Sequence, residues 1–169
     1  MRKILLLSVF LFSSVANANI LFDLSSGYFS TTSSGDVARS NMENHGFLGM
    51  SIGGKEQFYV GPNFTFAEND YNATSTTEIG ARINYFFNTD KTYKLVLTWS
   101  PSVSGTVGSD EIDAWSFLAG LGYELKVNNN FYIGAIIMYH KVSAEKKSNK
   151  ADVSFNSTTP MISISLRFK

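Results

Sequence analysis

Between Gln57 and Ala67 the side chains fall into two rows when every second residue is taken. Phe58, Val60, Pro62, Phe64 and Phe66 make one row, and Tyr59, Gly61, Asn63, Thr65 and Ala67 the other. A period of two predicts a β-strand whose faces meet different surroundings. The first row is apolar and begins and ends on an aromatic ring, whereas the second is small and polar. That combination suits a strand with hydrocarbon on one side and a crowded polar barrel interior on the other.

The same alternation recurs along the chain. Ile20, Phe22, Leu24 and Tyr28 alternate with Asp23, Ser25 and Gly27, and a second strand carries Leu48, Met50 and Ile52 outward. A fourth places Ile79, Ala81, Ile83, Tyr85 and Phe87 outside, with Glu78, Gly80, Arg82, Asn84 and Phe86 inside. Four more outward rows follow: Tyr93 to Trp99, Trp115 to Tyr123, Phe131 to Tyr139, and Ile162 to Phe168. Three short turns are expected at Gly53-Gly54-Lys55-Glu56, Asn88-Thr89-Asp90-Lys91 and Lys126 to Asn130. Four longer polar loops are expected at Thr31 to Glu43, Glu68 to Ser75, Ser104 to Asp113 and Ser143 to Asp152. The predicted fold is all-β: an eight-stranded antiparallel up-and-down transmembrane β-barrel with short periplasmic turns and longer extracellular loops.

Aromatic residues bracket the outward rows at Phe58 and Phe66, Tyr93 and Trp99, Trp115 and Tyr123, and Phe131 and Tyr139. Eight residues at about 3.3 Å each, tilted near 40°, rise roughly 20 Å, close to the height of an outer-membrane apolar band. A soluble barrel of the lipocalin kind would turn its apolar row inward and has no reason for such paired girdles. Pro62 lies mid-strand and has no N–H for the ladder, so a bulge or local break is expected there.

Met1 to Ala18 has the basic start, apolar middle and Ala16-Asn17-Ala18 ending of a cleaved signal peptide, leaving one domain from 19 to 169. The chain has no Cys, so its stability in an oxidising compartment depends on no disulfide. Loss of Arg2 and Lys3 from fourteen basic residues, against fourteen acidic, leaves a formal charge of about −2. Such a balance predicts no nucleic-acid partner.

With this layout the mature chain resembles the small eight-stranded outer-membrane proteins of the OmpA transmembrane-domain and OmpX type. The most specific piece is Ile162-Ser163-Ile164-Ser165-Leu166-Arg167-Phe168, similar to the C-terminal signal read by the barrel-assembly machinery. Lys169 departs from that signal, which usually ends on the aromatic. The resemblance implies location in the outer membrane of a Gram-negative bacterium, contact with outer-membrane lipid and lipopolysaccharide, and no cofactor. It also implies that the separate peptidoglycan-binding domain of longer relatives is missing.

Candidate chemistry lies in two places. The inward rows supply Asp23, Glu78 and Glu124 against Arg82, Lys94 and Arg167, an expected ion-pair plug with Arg167 across the closing seam from Asp23 and Lys94 beside Glu124. Phe47, Tyr59, Phe86, Leu118, Tyr132, Ile136 and Met138 add inward bulk. The alternative is a narrow conduit or a pocket for a small apolar molecule. In the expected loops, Asp110, Glu111 and Asp113 oppose Lys146, Lys147 and Lys150 in sign. They are read either as solvated charge or as lysines for lipopolysaccharide phosphates with carboxylates for a bridging cation. His140, Ser143 and Glu145 are the nearest match to the His-x-Ser pair and distant Glu of lipid A deacylases, but the spacing differs by one residue and His140 points inward. His45 is expected at the rim without a base or metal partner, and no metal site is expected. The predicted role is non-enzymatic, in envelope integrity or surface contact, and no loop names a surface partner.

Overall fold

Alternating apolar and polar side chains give each strand one face for each environment, and pairing every strand on both sides leaves no backbone edge in hydrocarbon. In a computed structural model, which describes residues 19–31, 39–53, 56–70, 73–88 and 90–169, the chain forms a closed antiparallel barrel in the order β1 to β8. The strands are β1 (Ile20–Thr31), β2 (Arg39–Ser51), β3 (Phe58–Asn69), β4 (Thr74–Phe86), β5 (Tyr93–Val107), β6 (Asp110–Lys126), β7 (Phe131–Lys146) and β8 (Asp152–Phe168). Residues 1–18, read as the signal peptide, lie outside the described residues.

The faces follow the predicted rows. Leu48, Phe64, Ile79, Trp99, Leu121, Ile137 and Ile162 are among the large hydrophobics on the outside, while Phe47, Tyr59, Phe86, Leu118 and Ile136 are buried within. β1 closes onto β8 from Ile20↔Phe168 to Ser26↔Ile162, so the first and last strands meet at one end of the barrel.

The predicted difference in loop length is corrected. β5 and β6 are separated only by Gly108 and Ser109, not by a loop from Ser104 to Asp113. Gly108 has φ +62°, which a two-residue hairpin of this kind needs at its first turn position. Residues 147–151 join β7 to β8, and residues 70–73 join β3 to β4. At the opposite end, where short turns were expected, residues 52–57, 87–92 and 127–130 make the connections. The predicted Ser33-Ser34-Gly35-Asp36 loop lies outside the described residues. Glu43, assigned by sequence to that first loop, is a fully buried residue of β2.

All three prolines sit where the ladder gives way. The β2–β3 pairing skips from Phe47↔Asn63 to Met50↔Val60, so Pro62 and Gly61 face an unpaired Leu48 and Gly49 with register unchanged. This is the local break and not a bulge. The bulge lies on β5, where Pro101 falls in the register shifts against both β4 and β6. Pro160 follows the end of the seam ladder on β8.

At the β2–β3 break the backbones nearly touch: a Cβ on Gly61 would stand 1.9 Å from the Leu48 carbonyl oxygen. A Cβ on Gly46 would meet only Leu24 Cδ2, at 3.7 Å. Gly61→Ala is therefore expected to destabilise the barrel by about 1–3 kcal/mol in urea unfolding from lipid vesicles, with Gly46→Ala close to neutral. Equal midpoints for the two variants would show that the close approach is not maintained.

Candidate functional site

An eight-stranded barrel has an interior that side chains fill, and here the filling is strongly polar. Asp23, Glu43, Glu78, Arg82 and Lys94 have no exposed surface, and Glu124 and Arg167 are also buried. Each stands at an inward position of its strand, so the pleat itself brings them together.

One group surrounds Lys94 on β5. Its ammonium donates to Asp23 Oδ2 at 2.6 Å, Glu124 Oε1 at 2.5 Å and Ser163 Oγ at 2.7 Å. These three acceptors use all three of its hydrogens. Arg82 reaches Asp23 at 3.4 Å and donates through Nε to Asn84 Oδ1 at 2.8 Å. Arg167 pairs with Glu124, donates to the Lys91 carbonyl at 3.0 Å, and lies between the rings of Phe86 and Tyr132. Arg167 thus does not pair with Asp23 across the seam: Asp23 is registered with Ser165, and Arg167 with Leu21. The guanidinium follows the aromatic rings and reaches Glu124 instead.

The second group contains Glu78 and the acid that sequence reasoning missed. Glu43 Oε1 lies 3.1 Å from His45 Nε2 and 3.0 Å from His140 Nδ1, and Glu43 Oε2 accepts from Thr159 at 2.9 Å. His140 Nε2 faces Glu78 Oε1 at 2.9 Å, close enough for an ion pair although not aligned as a hydrogen bond. Ser116 donates to the other Glu78 oxygen at 2.5 Å. His45 is buried, not a free rim residue, with Nδ1 2.9 Å from the Thr65 hydroxyl. Both nitrogens of His140 face carboxylate oxygens, and a bare lone pair on either would be repelled, so the ring fits as an imidazolium. The buried charges then balance: Asp23, Glu43, Glu78 and Glu124 against Arg82, Lys94, Arg167 and His140. Alternation was the signal for Glu43, since it stands two and four residues before the inward His45 and Phe47.

Asn63 joins the two groups. Its Oδ1 accepts from Arg82 at 3.3 Å, and its Nδ2 donates to Thr65 at 2.9 Å. Polar contacts therefore run without interruption from Arg167 to Ser116. Apolar clusters border them: Leu21, Phe47, Tyr59 and Phe86 in one, Val103, Ile112, Val142 and Ala144 in another.

His140, Ser143 and Glu145 do not assemble. His140 is committed to Glu43 and Glu78, Ser143 is on the opposite face of β7, and Glu145 pairs with Lys150 at 3.0 Å. The rim charges engage one another. Lys146 lies 2.8 Å from Asp110, and Lys147 lies 3.3 Å from Glu111 and 3.6 Å from Asp113. Hydrogen bonding from Lys146 holds the Asp110 carboxyl below its ordinary range, and that from Lys147 to Glu111 raises the Lys147 ammonium. Among the described residues no group of three His, Cys, Asp or Glu side chains is arranged to hold a metal, and Asp110, Glu111 and Asp113 are engaged by Lys146 and Lys147.

No protein-family model matches the chain, and no curated protein matches it. Among solved structures, the Yersinia pestis outer membrane protein Ail aligns at 13% identity over 89% of this chain and 99% of its own, with a TM-score of 0.48. Neisserial surface protein A aligns at 18% over 90% and 96%, also at 0.48. The outer membrane protein AlkL aligns at 10% over 90% of each chain, at 0.43. At these identities and scores the likeness assigns no role to any residue of this chain.

Two outcomes are expected from the charges. Lys94→Met leaves Asp23 and Glu124 without their shared cation and should cost about 3–5 kcal/mol in urea unfolding, whereas Lys150→Gln at the exposed rim should leave the midpoint unchanged. Glu56, in the connection before β3, is held below its ordinary 4.5 chiefly by a hydrogen bond from Lys91. Its depressed pKa gives stability that is present above 4.5 and is lost as pH falls through the lower folded value. Glu56→Gln should remove that part of the acid dependence, and an unaltered pH profile would show that the pair contributes nothing.

Proposed function

We propose that the chain is a non-enzymatic barrel of a Gram-negative outer membrane, contributing to envelope integrity and presenting its rim hairpins for surface contact. On this reading it is exported through a cleaved N-terminal signal peptide, inserted by the barrel-assembly machinery, and surrounded by outer-membrane lipid and lipopolysaccharide. The end holding Ile20 and Phe168 faces the periplasm.

The observation that carries the reading is the inversion of polarity across one wall. Large apolar side chains are exposed on every strand from β1 to β8, while paired charges are buried inside. In water such a continuous apolar exterior would far exceed the few hundred Å² that soluble monomers expose. In a bilayer it is the favourable face, and the closed ladder satisfies the backbone. A filled, charge-balanced interior supports a sealed wall and gives no passage for solutes. Engagement of His140 by two carboxylates supports the non-enzymatic reading.

The test is to refold the protein into phospholipid vesicles and follow heat-modifiable gel mobility, planar-bilayer conductance and the mass of added lipid A. Insertion as a compact barrel, no regular conductance steps and unchanged lipid A mass are expected. Stable monomer in detergent-free buffer would overturn the membrane assignment, steady conductance steps the sealed wall, and a changed acyl count the non-enzymatic reading.

A further inference from the structure

The outward rows of β1 and β2 contain two polar residues where the wall is otherwise apolar. Ser26 and Asn44 are registered partners, and the Ser26 hydroxyl donates to Asn44 Oδ1 at 2.7 Å. Ser26 is exposed and Asn44 half-buried. This contact uses the hydroxyl hydrogen, and among the described residues Asn44 Nδ2 donates no hydrogen bond. A donor left unmatched beside hydrocarbon is costly, so its acceptor has to come from outside the protein.

The pair opens into a groove of about 830 Å³ formed where the seam ladder stops. Ser26↔Ile162 is the last β1–β8 pair, although both strands continue beyond it. Leu24, Tyr28, Met161, Ile162 and Ile164 line the groove, and Pro160 beside them has no N–H to extend the ladder. Its walls continue directly into the apolar exterior, so what fills it comes from the bilayer.

Depth narrows the occupant further. Two residues at about 3.3 Å, tilted near 40°, place Ser26 roughly 5 Å below the exposed Tyr28 towards the upper end of the outward row of β1. Tyr28 is the next outward residue of β1, and Asn44 is registered with the outward Phe66 of β3. Aromatic girdles of this kind mark the interface where acyl chains join their polar heads. At that level a lipid carries ester or amide carbonyls and hydroxyls, and deeper it carries none.

We propose that this groove is a binding site for one acyl chain of an outer-leaflet lipid A molecule, whose linking carbonyl or chain hydroxyl accepts a hydrogen bond from Asn44 Nδ2. The apolar walls hold the chain, and the Ser26–Asn44 pair fixes its depth. The site rests on the membrane reading above but is not implied by it, since a barrel can insert without retaining a particular lipid.

The test uses the full-length mature protein refolded in detergent micelles, with lipid A added and retained lipid counted by native mass spectrometry. Heat-modifiable mobility reports folding and vesicle insertion separately, so loss of the membrane reading is distinguishable from loss of the site. Wild type is expected to retain one lipid A. Asn44→Leu, which matches the surrounding wall, should reduce retention at least fivefold, as should Asn44→Thr, which keeps a strand-compatible polar side chain without the amide donor. Having two variants leaves a readout if one fails to refold. Leu97→Ile, on the outer wall of β5 away from the groove, should retain lipid A as wild type does. Undiminished retention by the Asn44 variants would overturn the proposal. So would equal retention of an ether-linked phospholipid lacking carbonyls, or a species of twice the protein mass in place of the lipid complex.

Discussion

The structure depends on one constraint: in the bilayer proposed for it, backbone N–H and C=O groups would have no water to bond, so the strands must satisfy one another around a closed circle. The seam from Ile20↔Phe168 to Ser26↔Ile162 completes that circle. Other irregularities follow from the same requirement. A closed ladder has no free edge for a proline, and the chain places Pro62 at a skipped pairing, Pro101 in a bulge and Pro160 past the seam. The groove on the outer wall is the consequence at the third of these positions, because the ladder stops there before the strands do.

Closure creates a second problem, since an eight-stranded wall encloses a space too narrow for bulk water to solvate charge. The chain meets it by mutual compensation. Lys94 spends its three hydrogens on three acceptors, and Arg82 and Arg167 add hydrogen bonds to their ion pairs. His140 acts as the fourth cation, between Glu43 and Glu78. Such groups are weak evidence for net stability, because desolvation offsets much of their attraction, yet removing one member leaves its partners uncompensated. The interior therefore favours one arrangement of the eight strands, in which all these partners meet.

The rim follows different rules. Lys146 and Lys147 face acids on β6, and Lys150 faces Glu145, in a setting where water screens each pair. These contacts tie adjacent strands together without demanding unique geometry. They also occupy the groups that the sequence offered for phosphate or cation binding.

Strand number, facing and the inward position of Asp23, Glu78, Arg82, Lys94, Glu124 and Arg167 were legible in the sequence, because a period of two assigns each residue to a face before any partner is known. The neighbourhood of Lys94 and Glu124 was legible too, since they lie on consecutive strands. Turn lengths were misread where polar residues continued the strands: Gly108-Ser109 was a hairpin signal hidden inside an apparent loop. Which inward groups touch across the barrel was not legible, because it depends on stagger and tilt, which no single strand encodes. Tertiary structure alone decided that Arg167 joins Glu124 and not Asp23, that Glu43 and two histidines form a second group, and that Ser26 and Asn44 border a groove. Periodicity is a property of the chain, but contact between distant strands exists only once the barrel has closed.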